Sequence, residues 1–420
     1  MSILLKNATF INWETLKFTK TNIFVEKGKS GNIQFIDNIS DFNADKVIDC
    51  SNKFVTKSFA LGHHHAYSAL ARGMPAPKQT ASNFHEILQY VWWNIDKQLD
   101  KEMIEASALA TAIACAKAGS TFVIDHHSSP NYITGSLQII ADAFDKVGLS
   151  HLLCYEISDR NGTNKTKEAF EETENYLKNN QALIGLHASF TLGEESLETA
   201  ANLMNKYKTG VHIHVAEDKF DQYDSLKKYK KKVVERLNSH GFLASSKTIL
   251  AHCLHINDKE RNIIKNSNAF IVQNAESNLN NKVGKFNANN LGNNIMFGTD
   301  GMHSDMIRAA QYSYFTGLND DNIDLEKTYL RFRNTHNYIK TNNFIGDTEN
   351  NLMIFDYDSP TELNKDNFLG HFIYGFSSKN INHVISNGKL IVENKELITI
   401  NEKKVLNFAK QQANRLWKKL

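Results

Sequence analysis

Only four prolines and four cysteines occur in these 420 residues. Cys50, Cys115, Cys154 and Cys253 lie in separate segments with no CxxC pair. Their scatter excludes a disulfide framework and fits free thiols in a reducing, cytoplasmic compartment. With so few prolines and no low-complexity stretch, a Pro-rich linker between independent domains is excluded. Charge of one sign is lacking too: the formal net charge is +2, so no global field favours nucleic acid or an anionic membrane. The one basic run, Lys227 to Lys232 with Tyr229 inside it, is expected to be the solvated face of a helix continuing into VVERL. No apolar run reaches bilayer length, since ASALATAIACAKAG is too short and too interrupted. The start, MSILLKNATFINWE, lacks the basic segment, apolar core and cleavage site of a secretory leader. GxGxxG, GxxxxGKS/T, HExxH and HxE with PCxxC are all missing, as is any repeat of fixed period. Those gaps exclude nucleotide loops, zincins and the cytidine deaminase fold.

What remains is an ordinary globular composition, in a chain long enough for one large domain and a smaller one. The first 55 or so residues read as short strands, SILLKNATFIN, FTKTNIFVEKG, NIQFID and KVIDC, separated by Gly, Asn and Asp turns. Eight apolar runs then alternate with helical stretches: FALGHHH, TFVIDHH, HLLCYEIS, ALIGLHAS, GVHIHVAE, TILAHCLH, AFIVQNAES and NIMFGTD. Near-continuous apolar strands alternating with amphipathic helices mark a parallel sheet covered by helices, and eight such units fit a (β/α)8 TIM barrel. The expected fold is α/β, with the barrel at residues 57–351. Strands return in NLMIFDYD, HFIYGF and NHVISNGKLIVENKELI, followed by an amphipathic helix, KKVLNFAKQQANRLWKKL. A small β-sandwich domain built from residues 1–56 and 352–420 is expected beside the barrel.

Histidines and acids gather at the C-terminal ends of the barrel strands, the face where barrel enzymes carry their chemistry. An HxH on a strand puts His63 and His65 on one face and turns His64 outward, because side chains repeat every two residues. His214 in VHIHVAE and Asp300 in FGTDG close later strands. Three neutral nitrogens and one anionic oxygen suit a single zinc ion, or alternatively ferrous iron, with a position left for water. Glu217, just past the strand of His214, offers the carboxylic acid that proton shuttling needs. Asp300 is placed to take the proton of the attacking water, and His252 to hydrogen-bond that water or the developing oxyanion. Asp125, His126 and His127 close the second strand, as support for the ligands or as substrate contacts. Trp92 and Trp93 are expected to pack rather than to stack on a substrate ring.

HHHAYSALARG, GLHASFTL, HIHVAE, LAHCLH and GTDG, in this order over nearly the whole chain, resemble the amidohydrolase superfamily in its mononuclear cytosine deaminase-like and chlorohydrolase branch. Within that branch, HHHAYSALARGMPAP, QYVWWNID, VIDHHSSP, CYEISDRNG and DNFLGHFIYGF are similar to the SsnA group of aminohydrolases. The resemblance implies His63, His65, His214 and Asp300 as metal ligands, Glu217 as proton shuttle and His252 as the water-orienting group. It implies His187 and Arg72 as substrate contacts, Arg72 toward an oxygen or carboxylate. Binuclear relatives carry a carboxylated lysine where ALIGLHAS has none, which implies one metal. A homodimer acting on a small heterocycle, with no nucleic-acid or membrane partner, is the expectation that follows. The reaction expected is hydrolytic deamination of a cyclic amidine in a purine-, pterin- or pyrimidine-like ring. Ring opening of a cyclic amide, release of chloride from a ring carbon, and metal or purine binding without turnover are the alternatives. Two segments depart from the family: KSFALGHHH lacks its Pro-Gly, and QNAESNLN stands where many relatives have a Cys-Pro turn.

Overall fold

In the computed structural model, which describes residues 2–39 and 42–420, five short strands come first. They are β1 (Ile3–Ile11), β2 (Phe18–Val25), β3 (Ile33–Ile36), β4 (Lys46–Asp49) and β5 (Phe54–Lys57). β1 pairs antiparallel with β2 and parallel with β4 and β5. Of these only β5, in FVTK, was not anticipated, because it is four residues long and runs directly into the next strand.

After β5 the rhythm changes. β6 (Phe59–His64), β7 (Ser120–His127), β8 (Ser150–Ile157), β9 (Ile184–Ala188), β10 (Val211–Val215), β11 (Ile249–His252), β12 (Phe270–Gln273) and β13 (Ile295–Phe297) follow, each parallel to the next. They coincide with the eight apolar runs of the sequence. The ring closes between its first and last members: the amides of Thr299 and Asp300 donate to His63 O at 3.0 and 3.1 Å. Alternation along each strand divides the core. Phe122, Ile124, Leu152, Ile249 and Val272 pack together in one cluster. Val123, Leu153, Ile213 and Leu250 share another with the helix residues Leu109, Phe144 and Leu197. Each such buried side chain contributes about 1.5–3 kcal/mol. Helices Lys101–Lys117, Ser136–Val147, Thr163–Leu177 and Glu194–Tyr207 return the chain between strands. The basic run does not make one continuous helix. Lys219–Tyr229 ends at Lys230, which takes a left-handed conformation (φ +57°) and closes on Leu226 O, and Val233–Ser239 starts afresh.

β14 (Leu352–Phe355), β15 (Ile381–Ser386), β16 (Lys389–Glu393) and β17 (Glu396–Leu397) extend the first sheet through an antiparallel β14–β5 pair. The result is a nine-stranded mixed sheet from both termini, with Ile3, Leu5, Ile23, Val55 and Ile354 at its core. HFIYGF is not a strand. Helix Phe368–Tyr374 takes most of it, and Phe368, Phe372 and Phe376, four residues apart, pack on one another. That spacing is helical, and it overrides the aromatic preference for strands. The C-terminal helix Glu402–Trp417 lies on the barrel helix Lys101–Lys117, where Lys117 pairs with Glu402 at 2.9 Å. All four cysteines are unpaired and buried. Among the described residues no helix is long and apolar enough to cross a membrane.

Candidate active site

β6 and the residue after it deliver His63 and His65 to the C-terminal rim, with ring centroids 4.8 Å apart. His64 does not reach solvent. It is buried in the closing seam, its Nδ1 2.7 Å from Asp300 O. Hydrogen bonds fix which nitrogen of each remaining ring is free. His65 Nδ1 lies 2.6 Å from His126 O, and His214 Nδ1 lies 2.7 Å from His187 O. A carbonyl only accepts, so both Nδ1 atoms carry hydrogen and the lone pairs of the neutral rings sit on Nε2. Those two Nε2 atoms face each other at 3.2 Å, and His65 Nε2 is 3.2 Å from Asp300 Oδ1. His63 completes the set: its Nδ1 is 2.8 Å from His212 Nε2, while its buried Nε2 has no hydrogen-bond partner. Nitrogens about 2.0–2.1 Å from one zinc ion at tetrahedral angles stand about 3.3 Å apart. Facing lone pairs at that separation call for a cation between them, so His63, His65, His214 and Asp300 fit a divalent ion.

Electrostatics agree with that fit. Burial holds His63 down to about 4 and His214 well below the usual histidine range, so both rings are neutral. Burial also disfavours charge on His65, but the hydrogen bond and charge of Asp300 outweigh it and lift the group to about 9. A divalent ion would take that proton's place. Ser277 Oγ donates to Asp300 Oδ2 at 2.6 Å, fixing the carboxylate.

Glu217 Oε2 stands 3.5 Å from His252 Nε2, with its side chain only 11% exposed. Burial, more than the charge of Asp300, pushes the Glu217 carboxyl up to about 7. His252 is oriented by Asn278, whose Oδ1 lies 2.8 Å from His252 Nδ1. At His187 the Thr191 hydroxyl donates to Ala188 O and therefore accepts from Nδ1, 2.8 Å away. His187 Nε2 is thus an acceptor.

A cavity of about 910 Å³, its open mouth included, lies over these groups. His187 and Glu217 line it, together with Tyr67, Phe84, Phe190 and Phe220. Trp92 and Trp93, expected to be packing residues, line it as well. Arg72 does not. It follows the short helix Ala66–Ala71 and is exposed, because Asp125 Oδ1 holds the Ala66 amide at 2.6 Å and the turn carries Arg72 outward. His126 supports His65 through its carbonyl, and its own Nε2 is 3.2 Å from Leu186 O and from His212 O. His127 Nε2 meets Ser129 Oγ at 2.9 Å. Sequence reasoning missed Asp96, Glu156, Arg160, Ser277 and Asn278. Two signals were present: Glu156 ends the third barrel run, and QNAESNLN, set aside as a departure, forms the rim helix Ala275–Asn280.

The sequence profile of the amidohydrolase family matches residues 62–391, well over half of the chain. The chain belongs to the amidohydrolase family. This amidohydrolase is similar to the 5-methylthioadenosine/S-adenosylhomocysteine deaminase of Thermoanaerobacter pseudethanolicus, with 26% identity over 443 residues and 99% of each protein covered. It is similar also to the 5′-deoxyadenosine deaminase of Methanococcus vannielii, with 26% identity over 410 residues, 91% of this chain and 93% of that protein. Its fold matches that of an adenosine deaminase from Xanthomonas campestris solved with bound zinc, at TM-score 0.84 and 18% identity, covering 99% and 98% of the two chains. The superfamily and the barrel with its terminal sheet, both expected from the sequence, are therefore present in this amidohydrolase.

Proposed function

We propose that this amidohydrolase is a mononuclear aminohydrolase that deaminates a cyclic amidine within a planar purine-, pterin- or pyrimidine-like ring. One observation carries the proposal: the buried carboxyl of Glu217 lines the same aromatic cavity as the cluster of three imidazole nitrogens and Asp300. The deaminase names of two full-length relatives support it. The likeness to the SsnA group agrees with it and adds no substrate.

His63, His65, His214 and Asp300 would hold one divalent ion, zinc or alternatively iron. When bound, such an ion supplies Lewis acidity and makes a water nucleophilic near neutral pH. His252, held by Asn278, orients that water through Nε2, and Asp300 receives its proton. Glu217 gives a proton to the ring nitrogen beside the carbon under attack, which draws electrons from that carbon. The C–O bond forms, Asp300 passes the proton it took to the amino nitrogen, the C–N bond breaks and ammonia leaves, and the new hydroxyl returns its proton to Glu217 as the carbonyl forms. A ring amino carbon and one water become a ring carbonyl and one ammonia. His187 Nε2 accepts a hydrogen bond from the substrate. The catalytic unit is residues 57–351, flanked by the domain of residues 1–56 and 352–420. The enzyme works in the reducing cytoplasm as a homodimer, which light scattering would report as twice the mass of the chain.

The test is mass spectrometry of products from purines, pterins, pyrimidines and cyclic ureides incubated with zinc- or iron-loaded protein. An amino group replaced by oxygen, with ammonia released, is the expected result. A product heavier by a whole water would put ring opening in its place, and loss of chloride from a halogenated ring would make it a chlorohydrolase.

A further inference from the structure

Among the described residues, six carboxylates line the cavity and no lysine or arginine does: Asp96, Glu156, Glu217, Asp218, Asp221 and Asp300. Setting aside Asp300 for the ion and Glu217 for proton transfer leaves four. Two of these serve the backbone. Asp221 accepts the amides of Phe190 and Ala216 at 3.1 and 3.0 Å, and Asp218 caps the helix Lys219–Tyr229 through Phe220 N at 2.8 Å.

Asp96 and Glu156 have no such duty. Arg160 binds both through Nη2, with Glu156 Oε1 at 3.1 Å, while its guanidinium lies 4.9 Å from the centroid of Trp93. It lines a separate small crevice, not the main cavity. Arg160 offsets one of the two carboxylates and burial raises Glu156 to about 7, so the wall carries no net positive charge. No hydrogen bond reaches Asp96 Oδ1. Glu156 Oε2 lies 3.6 Å from His126 Nδ1, but His126 keeps its hydrogen on Nε2, against two carbonyls, and has none to donate. The wall therefore holds carboxyl oxygens that lack protein donors, in a lining shared with Tyr67, Trp92 and Trp93.

We infer that this cavity selects planar, amino-substituted rings that are neutral or cationic and rejects those carrying a carboxylate or phosphate. The inference rests on the deaminase proposal for the site itself. An anion entering here sheds water and meets carboxyl oxygens and the negative faces of aromatic rings, with no lysine or arginine in the lining to join the ion at the floor in pairing with it. An amino-substituted ring finds the opposite: acceptors for its N–H groups and aromatic faces that attract positive charge. Arg72, the cation expected to meet a substrate carboxylate, is outside the cavity. A relative named for both methylthioadenosine and S-adenosylhomocysteine handles a neutral tail and an amino-acid tail. This chain is built for the first kind.

Ligand pairs matched in ring and differing in charge test the inference on zinc-loaded protein: 5′-deoxyadenosine and adenosine 5′-monophosphate, pterin and pterin-6-carboxylate. Titration calorimetry gives Kd, and ammonia release gives kcat/KM where turnover occurs. The neutral member of each pair that binds is expected to win by about tenfold or more. Asn280→Arg, a cation placed at the exposed rim, is expected to raise affinity for the anionic members by a similar factor. Equal handling of charged and neutral members overturns the inference, as does failure of every neutral ring to bind. Charge selection in Kd without any ammonia release supports the inference and overturns the deaminase proposal instead.

Discussion

At the scale of single residues, Glu217 shows how place decides chemistry. An ordinary carboxyl titrates near 4.5, whereas burial lifts this one to about 7, so the proton donor exists at neutral pH. The acid form is the active one, and kcat is expected to be level below about pH 7 and to fall about tenfold per unit above it. Between pH 4.5 and 7 the native chain keeps a proton that the unfolded chain has lost, so the contribution of this group to stability declines as pH rises through that window. Glu217→Gln should retain metal by mass spectrometry, lose about 1,000-fold in kcat, and abolish the alkaline limb. Wild-type turnover in that variant would remove Glu217 from the mechanism. Asn278→Ala tests the support of His252. With the acceptor at 2.8 Å gone, kcat should drop about 10- to 100-fold with KM little changed. The meeting of His63 with His65 on one face was legible from spacing because a strand repeats every two residues, and His214, Asp300 and Glu217 could be placed at strand ends. Asn278 and Ser277 were not, because their partners His252 and Asp300 lie on other strands.

At the scale of elements, the end of β9 carries His187 and the loop after β10 carries Glu217, and Asp221 fastens the chain next to each by accepting the amides of Phe190 and Ala216. Ala216, one of the two, bends the chain with φ +45° just before Glu217. Asp221→Ala leaves two amides without acceptors, and chemical denaturation should show a loss of about 3 kcal/mol, accompanied by lower kcat. An unchanged midpoint would mean that water replaces the carboxylate. Elements also show where local patterns mislead. The run around Lys230 reads as one helix until a left-handed residue divides it, and HFIYGF reads as a strand until Phe372 meets Phe368 along a helix face. In both places a contact or a turn outweighs propensities that differ by about 1 kcal/mol or less.

At the scale of the whole molecule, the site exists because the sheet closes on itself. The seam between β6 and β13 brings Asp300 within 3.2 Å of His65, and Gly62 makes it possible. A Cβ there would meet Phe297 O at 2.7 Å. Gly62→Ala is therefore expected to lower stability by about 2 kcal/mol and to weaken zinc binding in parallel. Calorimetry and metal content measured on the same sample check it, and a variant that loses stability but keeps full metal affinity would uncouple closure from the site. By itself the sequence determined the eight-unit rhythm and the strand ends at which histidines and acids gather, since these follow from side-chain periodicity and residue chemistry along one strand. Only the tertiary structure decided that Arg72 lies outside the cavity, that Trp92 and Trp93 line it, and that Asp96 and Glu156 make its wall acidic. Those facts depend on how loops from different strands settle against one another around a closed ring, and no local pattern encodes a distance across it.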